Sequence, residues 1–142
     1  MSYKFSKRSL NNLKECHPKL QKIAHEAIKY IDFAVIDGHR SKEEQNLAYE
    51  NGFSTVKWPM SRHNTTPSLA FDFVPWHKEK PHVRWGDLNS FIEVITVMKR
   101  EAKKLGIVMI SGGDWVSFKD YPHIQLRRME LDNAQEKTKR EA

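Results

Sequence analysis

Residues 61–74 read SRHNTTPSLAFDFV, and their last six residues decide the fold. From Leu69 to Val74 the apolar residues alternate as they do along a strand, which puts Asp72 on the same face as Ala70. Alanine leaves room there for something to sit beside the carboxylate. Downstream, residues 119–126 read KDYPHIQL and bring Asp120 and His123. His63, Asp72 and His123 supply two imidazoles and a carboxylate, a donor set suited to a zinc ion that keeps one position open for water. Asp120 stands three residues before His123, with Pro122 bending the chain between them, and is expected to move a proton between that water and a leaving amine.

The remaining elements follow outward from this segment. Ser6 is a possible cap for a short helix with Leu10 and Leu13 facing inward, and Pro18 can open a second helix. In that second helix Leu20, Ile23, Ala24, Ala27 and Ile28 form one apolar stripe. Phe33 to Ile36 reads as a buried strand closed by Asp37-Gly38. Ser41 and Glu44 then have capping-box spacing, which predicts a helix from Ser41 to about Glu50 with Gly52 as its stop. Residues 53–62 read as loop, and 75–86, rich in Pro, Trp and His, as an irregular surface excursion.

The longest helix is expected over 87–105, with Leu88, Phe91, Ile92, Ile95, Met98, Ala102 and Leu105 on its inner side and Gly106 ending it. Ile107 to Ile110 is expected to be a strand, Ser111-Gly112-Gly113 a turn, and His123 to Leu126 the last strand. The sum is an α+β domain: a small, mostly antiparallel sheet backed by helices. At 142 residues the chain is long enough for a single domain, here placed at 1–126, with 127–142 as a charged tail, either a frayed helix or disordered.

Hydrophobic residues make up 39% and charged ones 30%, which points to a soluble globular protein and excludes a disordered or membrane-embedded chain. A net charge of +6 implies attraction to polyanions, with nucleic acid and an anionic cell wall equally compatible. Cys16 is the one cysteine, so an intramolecular disulfide is impossible, and the residue reads as a small buried thiol. The N-terminal stretch lacks the apolar run of a secretory signal, which predicts synthesis and folding in a cytoplasm.

Together, Ser61, His63, Ala70, Asp72, Asp120 and His123 resemble the pattern S-x-H-x-x-G-x-A-x-D, followed by an acidic residue ahead of a second His. That pattern belongs to the zinc peptidase family of D-alanyl-D-alanine carboxypeptidases, dipeptidases and the L-alanyl-D-glutamate endopeptidases of phage endolysins. Gly38-His39-Arg40 with Glu43, Glu44 and Gln45 resembles the family's upstream segment, and Gly113-Asp114-Trp115 a short one near its site. The resemblance implies zinc held by His63, Asp72 and His123, with Asp120 as general base. It also implies that Arg40 contacts substrate or transition state, and gives Ser61 and Gln45 places on the substrate side. His63 and Asp72 lie nine positions apart, two more than the family's usual spacing, and the usual glycine is missing from NTTPSL. Two extra residues in a hairpin loop would preserve side-chain parity.

Each residue also has a structural reading. His17, His25, His77 and His82 read as surface or hydrogen-bonded histidines, and His39 stays open. Arg40 has a salt bridge to Glu43 or Glu44 as its alternative, and Asp120 ordinary turn chemistry. Trp58, Trp76 and Trp85 read as packing, while Trp115 lies close in sequence to the site.

For the whole chain the first reading is a zinc peptidase of the phage endolysin type, cutting the peptidoglycan stem between L-alanine and D-glutamate. It would act as a monomer on peptidoglycan, with no nucleic acid partner and no membrane insertion, and would wait in the host cytoplasm until lysis. A D-alanyl-D-alanine carboxypeptidase or dipeptidase is the second reading. A non-catalytic basic module binding nucleic acid or wall polymer is the third.

Overall fold

The computed structural model describes residues 3–131. Helices α1 (Lys7–Lys14) and α2 (Pro18–Ala27) precede strand β1 (Phe33–Asp37) and helix α3 (Lys42–Glu50). Strand β2 (Ala70–Pro75), helix α4 (Leu88–Leu105) and strands β3 (Met109–Ser111) and β4 (His123–Leu126) follow. The four strands form one sheet in the order β1-β2-β4-β3, with every neighbouring pair antiparallel. The architecture is α+β, as the alternating strand and helix patterns predict.

Local chemistry explains the helix ends. The Ser6 hydroxyl accepts from Ser9 N, and His17 Nδ1 accepts from Lys19 N with Pro18 in the first turn of α2. Ser41 and Glu44 make both bonds of a capping box at the start of α3. Asp87 caps α4, and Gly106 ends it in the left-handed conformation at φ 71°.

The core lies between the helices and one face of the sheet. Phe33, Phe73 and Phe91 pack ring against ring, tying β1, β2 and α4 together, while Leu20, Ile23 and Met98 are fully enclosed. The sheet's other face carries Asp72 and His123.

Four expected core positions are instead exposed. Leu10, Leu88, Ile92 and Leu105 keep 38–47% of their surface. The buried stripe of α4 runs through Phe91, Val94, Ile95, Met98 and Ala102, so Leu88, Ile92 and Leu105 fall at its edges. The third strand begins at Met109 and runs to Ser111, because Ile107 is spent on closing α4 through its bond to Ala102 O. Cys16 is buried as expected, and burial above all, reinforced by Glu15, Asp37 and Asp72, pushes its thiol up to about 12. Of the expected tail, Glu130 is buried and bonded to Lys19 on α2 at 2.6 Å. Residues 132–142 lie outside the described part.

Gly38 follows β1, where a Cβ would collide with the carbonyl oxygen of Asn12 on α1. Gly38→Ala should therefore lower unfolding stability by about 1–3 kcal/mol, the cost typical of overpacking, read from the urea midpoint. An unchanged midpoint would show that α1 yields freely.

Candidate active site

Antiparallel pairing sets Asp72 on β2 directly opposite His123 on β4. Cross-strand neighbours share a face, so the register alone brings these two side chains together. His63 arrives separately, on a single 3-10 turn (Arg62–Asn64) whose N-cap is Ser61. The nine-residue spacer is therefore a turn followed by a loop, and side-chain parity along a hairpin does not govern where His63 faces. What governs it is hydrogen bonding: Ser61 Oγ accepts from His63 N, and Arg40 N donates to His63 O at 2.8 Å.

Three atoms converge. His63 Nε2 and His123 Nδ1 lie 3.3 Å apart, and each is 3.4 Å from Asp72 Oδ1. His63 Nδ1 lies 2.7 Å from the Gly38 carbonyl oxygen and His123 Nε2 lies 2.7 Å from Gln125 Oε1. Since a carbonyl oxygen can only accept, those outer nitrogens carry the protons and the inner ones present lone pairs. Asp72 Oδ1 is buried and has no hydrogen-bond partner among the described residues. Three acceptors so crowded repel one another unless a cation sits among them.

The spacing suits such a cation. Tetrahedral bonds of about 2.0–2.1 Å place ligand atoms about 3.3–3.4 Å apart. Among the described residues, His63, Asp72 and His123 are the one group of three or more His, Cys, Asp or Glu positioned to hold a metal ion.

Asp72 has a second oxygen, and it is occupied too: Arg40 Nη2 donates to Oδ2 at 2.8 Å. Arg40 Nε donates to Asp37, which a bulge in β1 after Val35 brings opposite Asp72. The expected alternative partners, Glu43 and Glu44, are not used. Burial by itself would raise the Asp72 carboxyl, but the imidazoles of His63 and His123, when protonated on their inner nitrogens as well, outweigh it with charge and hydrogen bonding and hold the group well below the usual carboxylate range.

Asp120 behaves oppositely. Burial first, and then the charge of Asp72, raise its carboxyl above the ordinary value. Its backbone N–H is held by Gly112 O at 3.0 Å, and a Cβ on Gly112 would press on the Cβ atoms of both Asp120 and His123. Glycine is thus required at 112 for Asp120 and His123 to approach.

These residues open into a cleft of about 640 Å3 lined by Arg40, Ser61, His63, Asp120, His123 and Gln125, among others. Loops carrying exposed Phe53, Met60 and Phe118 contribute to its rims. Trp115 also lines it, with its ring 5.2 Å from His123. Gln45 does not reach the cleft. It is fully buried, its amide nitrogen bonds Ser54 Oγ and Val56 O, and its oxygen accepts from Arg40 and Asn64. The structure places it beneath the site, where it ties Arg40 to the loop at Ser54–Val56.

Gln125 and Gly38 O escaped the sequence reading as partners of the imidazoles. Gln125 had a signal: it lies two residues after His123 on one strand and so shares its face. Gly38 had none, because a carbonyl's direction depends on tertiary packing.

Paired imidazoles and a carboxylate converging on one point, beside a carboxyl of raised pKa in a cleft, define a metal-dependent hydrolase. Residues 1–135 match the family model for phage L-alanyl-D-glutamate peptidases, and the chain belongs to that family. It is 35% identical over 136 residues to the L-alanyl-D-glutamate peptidase of Escherichia phage T5, covering 93% of this chain and 95% of the relative. It is 33% identical to the peptidoglycan L-alanyl-D-glutamate endopeptidase CwlK of Bacillus subtilis, over 70% of this chain and 64% of that protein. The crystal structure of the Serratia marcescens L-Ala D-Glu endopeptidase ChiX superposes with a TM-score of 0.77 at 30% identity, covering 89% of this chain and 91% of that one.

Gln125→Leu should weaken metal binding roughly 10–100-fold by freeing the His123 ring, measured by competition with a chromogenic chelator. Undiminished affinity would mean that the imidazole is oriented by other contacts.

Proposed function

We propose that this protein is a zinc endopeptidase that hydrolyses the L-alanyl-D-glutamate bond of the peptidoglycan stem, acting as a phage endolysin. The observation that carries the proposal is the triangle of His63 Nε2, Asp72 Oδ1 and His123 Nδ1 at 3.3–3.4 Å, in a chain whose relatives bear that activity in their names. Two nitrogens and one carboxylate oxygen in tetrahedral spacing favour zinc over magnesium or calcium, which prefer more oxygen donors. When bound, the ion supplies Lewis-acid activation of water and of the scissile carbonyl.

The chain's own residues do the rest. Asp120, ionised, takes a proton from the attacking water and returns it to the departing amine of D-glutamate. Arg40 holds the outer oxygen of Asp72, so its first role is positioning, and its place on the cleft wall puts a permanent positive charge near the developing oxyanion. Ser61 supports His63 through the turn it caps. Gln45 acts as a strut for Arg40, and Trp115 covers one side of His123.

Among the described residues no helix is long and apolar enough to cross a membrane. We assign the protein to the host cytoplasm before lysis, by analogy with its phage relative, and to the wall afterwards, as a monomer. Its charge of +6 would aid capture by an anionic wall. We also assign 1–126 to the catalytic domain, to which the start of the charged segment is tied through Glu130 and Lys19.

Digestion of purified peptidoglycan should release fragments with new N-terminal D-glutamate by mass analysis. Free D-alanine instead would mean a carboxypeptidase. Asp120→Ala should keep its zinc and lose about 10²–10⁴-fold in kcat; loss of metal in that variant would mean that base and ligand are exchanged. Because Asp120 works ionised and its pKa is raised, the acidic limb of kcat/KM should fall at a pH above the ordinary aspartate value of about 3.9. A limb at or below that value would assign it to another group.

A further inference from the structure

We propose that Lys119 recognises substrate, its ammonium binding the spare carboxylate of the D-glutamate residue on the leaving-amine side of the cleft. The inference rests on the endopeptidase reading and adds to it the group that selects D-glutamate. A glutamate whose amine lies in the scissile bond has two carboxyls. One continues the stem, and the other remains a free anion a few bonds from the departing nitrogen. That anion must therefore be accepted close to where Asp120 delivers its proton.

Without help the location is hostile to it. Asp120 lines the cleft there, and its carboxylate repels a second anion placed beside it. A bound zinc would neutralise Asp72 among its ligands, so the carboxylate beside Asp120 still calls for a cationic side chain, and three line the cleft: Arg40, Arg62 and Lys119. Arg40 is committed to Asp37 and Asp72. Arg62 belongs to the turn that carries His63, and the charge that bears on it is that of another cation, Arg128.

Lys119 directly precedes Asp120 and has no carboxylate partner among the described residues. The one hydrogen bond its Nζ makes there is to Gly113 O at 3.3 Å, a long contact with a neutral acceptor that a substrate carboxylate can replace. Its loop is anchored on both sides. Asp120 N bonds Gly112 O, Gly113 N bonds Ser111 Oγ, and Tyr121 packs so closely on Gly113 that a Cβ there would lie 2.9 Å from its ring. Phe118, just before it, has φ 54°, a left-handed backbone that phenylalanine rarely adopts, and such strain gathers at functional sites. The ammonium is therefore presented from a shaped loop at the place where the substrate's extra charge arrives.

The test uses the full zinc-loaded chain and two synthetic stem peptides, identical except that the glutamate's spare carboxyl is free in one and a carboxamide in the other. Lys119→Met should lower kcat/KM for the acid peptide about tenfold or more, chiefly through KM, and leave the amide peptide within about twofold. Lys119→Arg should retain most of the preference. Equal losses on both peptides, no loss on either, or a selective loss in Arg62→Met instead, would each overturn the assignment of Lys119. If the unaltered protein cuts neither peptide, the endopeptidase reading itself falls. A thermal melt of Lys119→Met matching the parent's ties any loss to recognition, and a collapsed melt would make Lys119 a structural residue and overturn the proposal.

Discussion

The site depends on one constraint, the register of β2 against β4. Antiparallel pairing puts Asp72 opposite His123, and a slip of one residue would turn either side chain into the core. The register is locked from the other face, where Phe71, Phe73, Ile124 and Leu126 are fully buried. Apolar burial on one side of the sheet thus specifies polar convergence on the other. The bulge in β1 extends the same logic by bringing Asp37 opposite Asp72, where both can share Arg40.

Around the three inner atoms, the outer atoms are also engaged. Gly38 O takes the outer proton of His63, Gln125 that of His123, and Arg40 binds the outer oxygen of Asp72. Each bond fixes a ring tautomer or a carboxylate orientation, so the donors are arranged before any ion arrives. Such preorganisation reduces the reordering needed on binding. It also ties the centre to α1, because Gly38 fits only where its backbone touches Asn12.

Two aspartates near one point are driven apart by their surroundings. Asp72 lies beside two imidazoles, whose protonated form holds it ionised, the state that binding a metal would also require. Asp120 is partly desolvated and faces the charge of Asp72, which raises its pKa toward the range useful for proton transfer. The scaffold and the cleft rims also differ. Packed aromatics hold the sheet to α4, whereas Phe53, Met60 and Phe118 on the rims stay exposed, where a bound peptide can cover them.

Sequence by itself determined the main helices and strands, the Ser6 and Ser41 caps and which residues could donate to a metal. Alternation, capping-box spacing and turn residues are local properties, set by neighbours a few positions away. His63, Asp72, Asp120 and His123 were legible because their chemistry is unusual in combination and their pattern resembles a known family. The edges of the α4 stripe were not, since which leucine or isoleucine is buried depends on the angle at which α4 meets α2 and the sheet. Tertiary structure alone decided that Arg40 serves Asp72, that Gln45 lies beneath the cleft and that Gly38 orients His63. Those roles depend on hydrogen bonds between segments far apart in the chain, and a bond's direction exists only once packing has brought its two ends together.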